Sequence, residues 1–427
     1  MGCKMGDWVQ QFKARFGDAV TTDMVALAIQ GVQPACACAP ESEEQAAAMI
    51  RFAAAHRIPL VPCGNGTSQG RCAPPPPGFL ALSTKRLNKL IHHEPGDMVA
   101  TVQSGMSFFE FEHALREHSQ WLPLDAGYST IGGSIVTNAH GPRALGFGTL
   151  RDMVLGMTVI NGDGVIRKCG GKVVKNVTGY ALDKLYIGSF GTLGLITEVT
   201  FKLQPLMPTF HLKYAKLSNI DAGVNALEIL AKKNLPLEML QIYVRGIDEG
   251  PLLFVTATGT DAEMDRIREE VSNAVPLEYS GHYVHFNTSR VWSHEEYGFN
   301  HREFYAGIEN RIFQEAIERT SVGATLRFGC VRSKLSAVMK VLQSFQTWPQ
   351  SIGMTGGIID MSPLSDSEAA RIATEFEKLG VNFAFENIVG VNIPNRWGTP
   401  RPEWAIMKQI KAALDPQGIM NPGRFVV

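Results

Sequence analysis

The chain has 427 residues, which is more than one ordinary hydrophobic core holds, so we expect two or more domains. Hydrophobic residues make up 45% of the sequence and charged residues 19%, the balance of a globular protein, and no apolar run approaches the roughly 18 residues that a transmembrane helix needs. The net charge of -1 excludes strong electrostatic attraction to nucleic acid or to an anionic membrane surface.

The first predicted elements are helices. Residues 1–29 are predicted to form a helical extension, and the segment from Met1 to Trp8 lacks the apolar stretch of a secretion signal. We therefore expect a cytoplasmic location, with any contact to the inner membrane made through partner proteins. Ser42 and Gln45 form a predicted capping box at the start of an alanine-rich helix that continues to about His56.

The first of three glycine-rich runs follows a short predicted strand at Pro59–Pro62. This run, Gly64–Gly70, offers consecutive backbone N–H groups and glycines that can take positive φ, a combination that suits a diphosphate. Thr67 and Ser68 add hydroxyl donors. The run lacks the Gly-Lys-Ser/Thr ending of a P-loop, and the prolines at 74–77 after it exclude the helix of a Rossmann fingerprint. By itself, the run is equally compatible with an ordinary surface turn.

A second glycine-rich run follows a predicted strand near Met98–Gln103 and a predicted helix near Ser107–His118. In this run, Ile131–Asn138, two glycines precede Ser134, an apolar pair and a Thr-Asn ending. That order predicts a helix N-terminus directed at an anion, with side chains that could hydrogen-bond the edge of a polar ring. A tight turn before a capped helix is the alternative.

The third run comes after a predicted hairpin. Strands at Asp152–Ile160 and Val165–Lys168 flank Asn161–Gly164, whose asparagine and glycines suit a tight turn with positive φ. The run itself, Gly188–Gly194, leads into an alternating strand at Leu195–Leu203, after which prolines 205 and 208 end the domain. A plain junction between loop and strand is the alternative. Three such runs in one domain, none with a phosphotransfer motif, favour one large bound dinucleotide.

The cysteines bear on redox chemistry. Seven of them lie at positions 3, 36, 38, 63, 72, 169 and 330. An odd, scattered set is typical of reduced intracellular thiols rather than of a disulfide framework. Only Cys36 and Cys38 are close in sequence, whereas an iron–sulfur cluster needs four thiolates. A protein of this kind that passes electrons onward would need a partner to carry the cluster.

Four segments carry a family resemblance. They are Val61–Ser68; Gly132–Asn138 with Gly141–Arg143 and Arg151–Gly156; Lys175–Tyr180 with Gly188–Val199; and the C-terminal Asn421–Phe425. Together they resemble the FAD-binding oxidoreductases of the p-cresol methylhydroxylase (PCMH)/vanillyl-alcohol oxidase type. Within that family the combination is most similar to the FAD-binding subunit of bacterial glycolate oxidase.

This resemblance implies an α+β fold. A PCMH-type FAD-binding domain of two subdomains would be followed by a cap domain, in which helices flank an antiparallel sheet. The implied boundaries are 30–207 for the FAD-binding domain, 208–380 for the cap or substrate domain, and 381–427 for a C-terminal segment that returns to the flavin.

The resemblance also implies a set of FAD-binding residues. Residues 63–68 would supply backbone donors to the pyrophosphate, and Ile196 would pair its backbone with adenine. The second run would lie beside the ribityl chain and the ring. Asn421 and Arg424 would approach the isoalloxazine, where a fixed cation stabilises reduced flavin. The implied set is Pro62, Cys63, Gly64, Asn65, Gly66, Thr67, Ser68, Gly70, Thr130, Gly132, Gly133, Ser134, Thr137, Asn138, Gly141, Ser189, Gly191, Thr192, Gly194, Ile196, Asn421 and Arg424.

Two features depart from the family pattern. Covalently flavinylated members carry a linking His or Cys at set positions, whereas the first loop here offers Cys63 and no histidine. We therefore expect non-covalent FAD, with His140 as a hydrogen-bonded loop residue. Members that oxidise 2-hydroxy acids directly tend to carry a His-Gly-Asp-Gly-Asn-type stretch near the C-terminus, which this sequence lacks. His282 and His285 have no carboxylate pattern nearby, so we expect structural histidines there and no metal.

The function implied by the resemblance is that of an FAD-dependent oxidoreductase acting on CH–OH donors. The chain would be the FAD-binding subunit of a glycolate oxidase complex, with a second FAD-binding subunit and an iron–sulfur subunit as partners. Hydride would pass from a 2-hydroxy acid to the flavin, and electrons would pass on to a partner. Two other functions stay open: a stand-alone FAD oxidase or dehydrogenase of a hydroxy acid, sugar or alcohol, and a non-catalytic FAD-binding subunit.

No catalytic residue can be identified from the sequence. A carboxylate substrate needs a positively charged group beside it, and Arg327 and Arg245 are the candidates in the second half of the chain. For both arginines, a role on the surface or in a structural ion pair is the alternative.

Overall fold

The computed structural model describes residues 5–21, 27–171, 180–206, 209–244, 251–274, 283–287, 323–345, 348–361 and 363–427. The chain forms two compact units. The first contains Met1–His140, Thr149–Leu206 and Pro400–Val427, and the second contains Gly141–Gly148 and Met207–Thr399. The domain boundaries expected from the sequence, at 29/30, 207/208 and 380/381, do not separate Gly141–Gly148 and stay predictions.

A small parallel sheet carries the first glycine run. It has the order β1-β3-β2, with β1 at Cys36–Cys38, β2 at Leu60–Cys63 and β3 at Leu80–Ser83. Parallel strands need a crossover connection, and a helix at Glu43–His56 (α2) lies between β1 and β2 in the chain. The chain leaves the end of β2 directly into the glycine run.

Helix α2 begins and ends where the sequence predicts. The Oγ atom of Ser42 accepts the N–H of Gln45 at 3.2 Å, while the side-chain oxygen of Gln45 accepts the N–H of Glu41 rather than that of Ser42. The first helix of the chain, α1 at Met5–Phe16, packs its aromatic side chains against α2, with the Phe12 and Phe52 rings 5.3 Å apart. Each large apolar side chain buried in this way contributes about 1.5–3 kcal/mol.

An antiparallel sheet of five strands completes the core of the first unit. Its order is β4-β5-β9-β7-β8, with β4 at Leu90–Glu94, β5 at Val99–Gln103, β7 at Val154–Ile160, β8 at Ile166–Gly170 and β9 at Leu195–Lys202. Two short strands, β6 at Gln120–Trp121 and β10 at Gln204–Pro205, pair separately. The remaining helices of this unit are α3 at Phe108–Arg116, α4 at Ile131–Val136, α6 at Leu150–Met153, α7 at Asp183–Tyr186 and α12 at Glu403–Leu414.

The predicted hairpin exists, but its turn is longer than the sequence predicts. Strands β7 and β8 pair from Ile160 and Ile166 outward, which leaves a connection of residues 161–165. Only Gly164 of its two glycines has positive φ, at +71°. A Cβ on Gly162 would collide with the carboxylate of Asp415. Gly162 is therefore required by close approach of the C-terminal segment and not by the turn.

The second unit is built on an antiparallel sheet of eight strands. The order is β14-β11-β13-β12-β16-β17-β15-β18. The strands are β11 at Thr209–Lys216, β12 at Met239–Val244, β13 at Pro251–Ala257, β14 at Tyr283–Asn287, β15 at Gly323–Gly329, β16 at Trp348–Gly353, β17 at Gly356–Met361 and β18 at Asn382–Val389. Among the described residues, the helices of this unit are α5 at Ala144–Phe147, α8 at Ile220–Lys232, α9 at Asp261–Ala274, α10 at Leu335–Gln343 and α11 at Asp366–Lys378.

The two faces of this large sheet differ in chemistry. Leu326, Ile359 and Ile352 on one face join the apolar core that also includes residues of the long helices. Because side chains alternate along a strand, the neighbours of these core residues point to the other face. That face carries buried polar side chains, namely Gln241, Thr256, Thr325, Ser351 and Glu386.

The arrangement confirms the α+β fold expected from the sequence, with antiparallel sheets and helices in both units. Across the described ranges, none of the helices has the length and apolar character that crossing a bilayer requires.

Candidate functional site

The first unit contains a cleft of about 700 Å³, a volume that includes space open to solvent. All three glycine runs contribute to its walls. The lining residues are Pro62, Cys63, Gly64, Asn65, Gly66, Thr67, Ser68, Gln69, Cys72, Thr84, Ser104, Thr130, Gly132, Gly133, Val136, Thr137, Phe190, Gly191, Gly194, Leu195, Ile196 and Asn421.

The first glycine run supplies unpaired backbone donors. No N–H group from Gly64 to Ser68 has a hydrogen-bond acceptor within the part of the chain that the structure describes. Gly66 has φ of +78°, and no atom lies within 4 Å of the position where a Cβ would be. The side chain of Asn65 donates to the carbonyl of Tyr128 at 2.8 Å and so fixes the loop. Consecutive free amides in such a loop form a concave anion-binding surface.

The first and second runs lie in close contact. A Cβ on Gly64 would collide with Oγ1 of Thr130, and a Cβ on Gly132 would lie 2.9 Å from Cβ of Ser104. A larger residue at position 64 would push the first run away from Thr130, and one at position 132 would push the second run away from the end of β5. Glycine is therefore needed at both positions for close approach.

The anion site expected at the N-terminus of the second run stays a prediction, and the backbone amides there have partners in the protein. Thr130 does cap helix α4, because its Oγ1 accepts the N–H of Gly133 at 3.2 Å. However, the N–H of Ile131 donates to the carbonyl of Met106, and that of Gly132 donates to the carbonyl of Ser104 at 2.7 Å. The first amides of α4 thus have partners in the protein. Free donors occur instead in Gly64–Ser68.

The third run reaches the cleft through a left-handed turn. Phe190 and Gly191 have φ of +52° and +68°, and the Asn421 side chain donates to the carbonyl of Phe190 at 2.5 Å. A Cβ on Gly194 would lie only 2.7 Å from the carbonyl of Ile160. The chain then enters β9, whose first residues, Leu195 and Ile196, line the cleft.

Most of the residues expected to bind the cofactor line this cleft. Those that do not are Gly70, Ser134, Asn138, Gly141, Ser189, Thr192 and Arg424. Ser134 is buried and bonds Ser129, and Thr192 bonds the carbonyl of Ser189. Gly141 belongs to the second unit. Nδ1 of His140 lies 2.7 Å from the carbonyl oxygen of Asn138, which confirms His140 as a hydrogen-bonded loop residue.

Seven lining residues have no counterpart in the expected set: Gln69, Cys72, Thr84, Ser104, Val136, Phe190 and Leu195. Gln69, Val136, Phe190 and Leu195 lie within or beside the glycine runs and could have been included. Thr84 and Ser104 follow β3 and β5 directly. A polar residue at the end of a buried strand was the available signal, because strand ends often border a ligand site.

One buried side-chain atom of the cleft lining has no hydrogen-bond partner among the described residues. Oγ of Ser104 is buried and makes no hydrogen bond within the described residues. A buried hydroxyl without a partner costs free energy, so such atoms usually serve a ligand, an ion or a water. Together with the free amides of the first run, this atom fits a phosphorylated, hydrogen-bonding cofactor.

Burial shifts the pKa values of the arginine and the thiols around the first run. Arg424 is 1% exposed and lies behind the loop, where it donates to the side chain of Gln69 at 2.5 Å and to its carbonyl at 2.9 Å. Burial lowers the pKa of this guanidinium, and the thiols of Cys72 and Cys63 act in the opposite direction. Burial raises the pKa of Cys63 to about 12, so Cys63 is a neutral thiol at physiological pH.

Of the two arginines proposed for a substrate, one lies in the described part of the second unit. The Nε atom of Arg327, on β15, is 3.1 Å from Oε1 and 3.2 Å from Oε2 of Glu386, on β18. The Glu386 side chain is 2% exposed and that of Arg327 is 32% exposed. Arg245 and His282 lie outside the described residues, and His285 lies on β14 opposite His211.

The fold and the cleft define a protein that binds a large phosphorylated nucleotide through its first unit. Residues 34–170 match a family model described as an FAD binding domain, and residues 398–425 match one described as the C-terminal domain of FAD linked oxidases. The chain is 32% identical to D-lactate dehydrogenase of Archaeoglobus fulgidus over 91% of this chain and 90% of that protein. It is 28% identical to glycolate oxidase subunit GlcD of Bacillus subtilis over 92% and 89% of the two chains.

The chain therefore belongs to the FAD-linked oxidase family of PCMH-type flavoproteins, and its cofactor is FAD. It is also 36% identical to D-2-hydroxyglutarate dehydrogenase of Xanthomonas citri over 80% of this chain and 65% of that protein. Among solved structures, alkyldihydroxyacetonephosphate synthase matches with a TM-score of 0.68 at 16% identity, over 98% of this chain and 84% of that one. This last similarity shows the fold alone.

Proposed function

We propose that this FAD-dependent oxidoreductase acts on a 2-hydroxy acid and works as the FAD-binding subunit of a glycolate oxidase complex. The observation that carries the proposal is the cleft with its row of free amides, in a chain whose relatives are named for glycolate, D-lactate and D-2-hydroxyglutarate. The partners would be a second FAD-binding subunit and an iron–sulfur subunit. The cytoplasmic location expected from the sequence stays a prediction.

Each part of the cleft would have a defined task in holding FAD. The amides of Gly64–Ser68 would bind the diphosphate, and the first residues of β9 would border the adenine. The hydroxyl of Ser104, which lacks a protein partner among the described residues, would hydrogen-bond the cofactor. When bound, FAD supplies the hydride acceptor. The protein's own contribution is to orient the cofactor and to keep water away from it.

We assign the substrate carboxylate to Arg327. Glu386 is buried and accepts hydrogen bonds from Nε of Arg327, so the guanidinium is oriented on a polar sheet face. A positioned guanidinium can bind a carboxylate with two parallel hydrogen bonds, which lysine cannot do. Replacing Arg327 by Lys should raise KM for the hydroxy acid at least tenfold with little loss of bound FAD. Arg332→Lys, an exposed arginine just after the same strand, is the matched control.

Non-covalent attachment of FAD is part of this proposal. Cys63 is the cysteine that directly precedes the first glycine run, and it is buried with a neutral thiol. Acid precipitation of the purified protein should leave all flavin in the supernatant. A yellow pellet would show a covalent link and would overturn this part.

Anaerobic reduction of the bound flavin distinguishes the three functions. The purified chain would be mixed with glycolate, D-lactate and D-2-hydroxyglutarate in turn, with and without a fraction that contains its iron–sulfur partner. Bleaching with glycolate followed by reoxidation only when the partner is present supports the proposed function. Steady turnover of the isolated chain with a dye selects the stand-alone enzyme. A flavin that no hydroxy acid bleaches, even with the partners, selects the non-catalytic subunit.

The lack of a His-Gly-Asp-Gly-Asn-type stretch favours the partner-dependent function over the stand-alone one. Co-purification offers an independent measurement. The native chain should bring down an iron–sulfur protein, detected by its absorption and iron content. Recovery of the chain as a fully active single polypeptide would contradict the assignment to a complex.

A further inference from the structure

The C-terminal segment Asp415–Arg424, here called the C-terminal strap, lies along the edge of the strand that leads into the first glycine run. The N–H of Leu60 donates to the carbonyl of Ile419 at 2.8 Å, and the N–H of Asn421 donates to the carbonyl of Leu60 at 2.7 Å. Leu60 and Met420 form a parallel bridge. The strap thus acts as an added strand on the open edge of β2.

A buried ion pair fastens the near end of the strap. Nζ of Lys411, on α12, donates to Oδ2 of Asp415 at 2.5 Å, to the carbonyl of Met420 at 2.7 Å and to the carbonyl of Thr192 at 2.6 Å. These three bonds use every donor of the ammonium group. Thr192 belongs to the third glycine run, so one side chain joins that run to the strap.

Both carboxylate oxygens of Asp415 accept hydrogen bonds. Its side chain is completely buried, and its oxygens accept the N–H groups of Ile419 at 3.1 Å and Met420 at 2.8 Å. The N–H of Gly162 donates to the carbonyl of Leu414, and the missing side chain of Gly162 leaves the space that the carboxylate occupies. The hairpin, the end of α12 and the strap therefore meet at one aspartate.

The far end of the strap contacts the first and third runs at the cleft. Asn421 bonds the carbonyl of Phe190. Arg424 bonds Gln69 twice and the carbonyl of Ala73 at 2.8 Å, and the N–H of Ala73 donates back to the carbonyl of Arg424 at 3.1 Å. The strap is therefore a bridge between two loops that are more than a hundred residues apart in the sequence.

The positive charge of Arg424 has no carboxylate partner among the described residues. Lys411 and Asp415 neutralise one another, whereas the oxygens that accept hydrogen bonds from Arg424 in the described residues are all neutral. A buried guanidinium without a carboxylate costs free energy unless another anion lies nearby. The free amides of Gly64–Ser68, directly beside Gln69, mark where such an anion would bind.

We propose that the C-terminal strap is a latch for FAD, in which Lys411 and Asp415 hold the strap against the third run and Arg424 supplies a buried positive charge that the cofactor's diphosphate balances. Lys411 is a positioning residue in this scheme, because it acts through Thr192 and the strap backbone, whereas Arg424 acts through its charge. The proposal requires only that the cleft binds FAD. It is independent of the substrate and of the partners.

Release of FAD from the holoprotein tests the charge of Arg424. The rate is followed by the rise of flavin fluorescence after dilution. Arg424→Gln should release FAD at least tenfold faster than wild type, and Arg424→Lys should recover most of the loss because it keeps the charge. Release from Arg424→Gln within twofold of wild type, or equal release from the Gln and Lys variants, would overturn the role of the charge.

The ion pair is tested by Lys411→Met, with Lys408→Met as the control. Lys408 lies one turn earlier on the same helix and is exposed. Lys411→Met should release FAD at least tenfold faster, while Lys408→Met should stay within twofold of wild type. If Lys411→Met does not fold, hydrogen exchange of the wild-type protein decides. Bound FAD should slow exchange of the N–H groups of Ile419, Met420 and Asn421, and no change there would overturn the latch.

Failure of this proposal and failure of the proposed function can be told apart. If the latch proposal is wrong, the substitutions leave FAD release unchanged and the protein still oxidises hydroxy acids. A wrong substrate assignment leaves the FAD release rates as expected and removes only the bleaching by hydroxy acids.

Discussion

Gly66 gives the sharpest test of how the cleft holds the diphosphate. Its φ is +78°, and no atom lies within 4 Å of the point that a Cβ would occupy. Alanine would therefore add backbone strain without a collision, and the left-handed conformation costs an L residue about 1–2 kcal/mol. Aspartate would add the same strain and a charge. At about 5 Å and an effective dielectric constant of about 20, each unit of diphosphate charge repels the carboxylate by about 3 kcal/mol.

These energies translate into affinities for FAD. If the loop relaxes when FAD is absent, the backbone strain is present only in the FAD complex and therefore opposes binding. Gly66→Ala should lower the affinity for FAD by about 5–30-fold. Gly66→Asp should weaken it by more than about 100-fold, because repulsion adds to strain. The assay is a fluorescence titration of the FAD-free variants.

Gly31 provides the matched control for this experiment. It also has positive φ, at +81°, also has no atom within 4 Å of a Cβ, and is exposed outside the cleft. Gly31→Ala and Gly31→Asp add the same kind of backbone strain outside the cleft and should leave FAD affinity nearly unchanged. Equal FAD affinity in Gly66→Asp and Gly31→Asp would refute the reasoning from the free amides.

Three further measurements test individual features of the structure. Thr130→Ala removes the cap of α4 and should lower the free energy of unfolding by about 1 kcal/mol in urea titrations, whereas Thr130→Ser should retain most of it. Burial raises the pKa of Cys63 from 9.0 to about 12, so at pH 8 its thiol should react with iodoacetamide about 1,000-fold more slowly than an ordinary thiol. Mass spectrometry measures the rate of modification, and a normal rate would contradict the burial of this thiol. Burial raises the pKa of Glu238 above 4.5, against the opposing effects of Thr258 and Arg143. The protonated carboxyl of Glu238 therefore makes its full contribution to folding stability below pH 4.5. That contribution is lost as the pH rises through the folded-state pKa of Glu238. Glu238→Gln should raise the melting temperature more at about pH 7.5 than at about pH 4.5, and an equal change at both would count against the shift.

Local signals determined much of this protein from the sequence alone. The cap at Ser42, the helix it begins, the hairpin of β7 and β8 and the start of β9 at Leu195 all follow from residue types within a few positions of each other. The three glycine runs likewise indicated a site for a large phosphorylated cofactor. These features could be predicted because each depends on backbone conformations that only nearby residues control.

The tertiary structure decided how these segments combine. Thr84 and Ser104 line the cleft because β3 and β5 end beside it, although neither belongs to a glycine run. The first amides of α4 donate to the carbonyls of Met106 and Ser104, whereas the amides of the first run have no acceptor among the described residues. The hydrogen bonds from Arg424 to Gln69 of the first run also depend on the tertiary structure, because the two residues are 355 positions apart in the sequence.

Gly162 shows the physical reason for this division. In the sequence it belongs to an ordinary turn signal, and nothing nearby distinguishes it from a turn glycine. In the folded chain it is glycine because the carboxylate of Asp415, far along the sequence, occupies the space of its side chain. Local sequence fixes local backbone geometry, whereas contact between distant segments depends on how the whole core packs, and short patterns do not encode that.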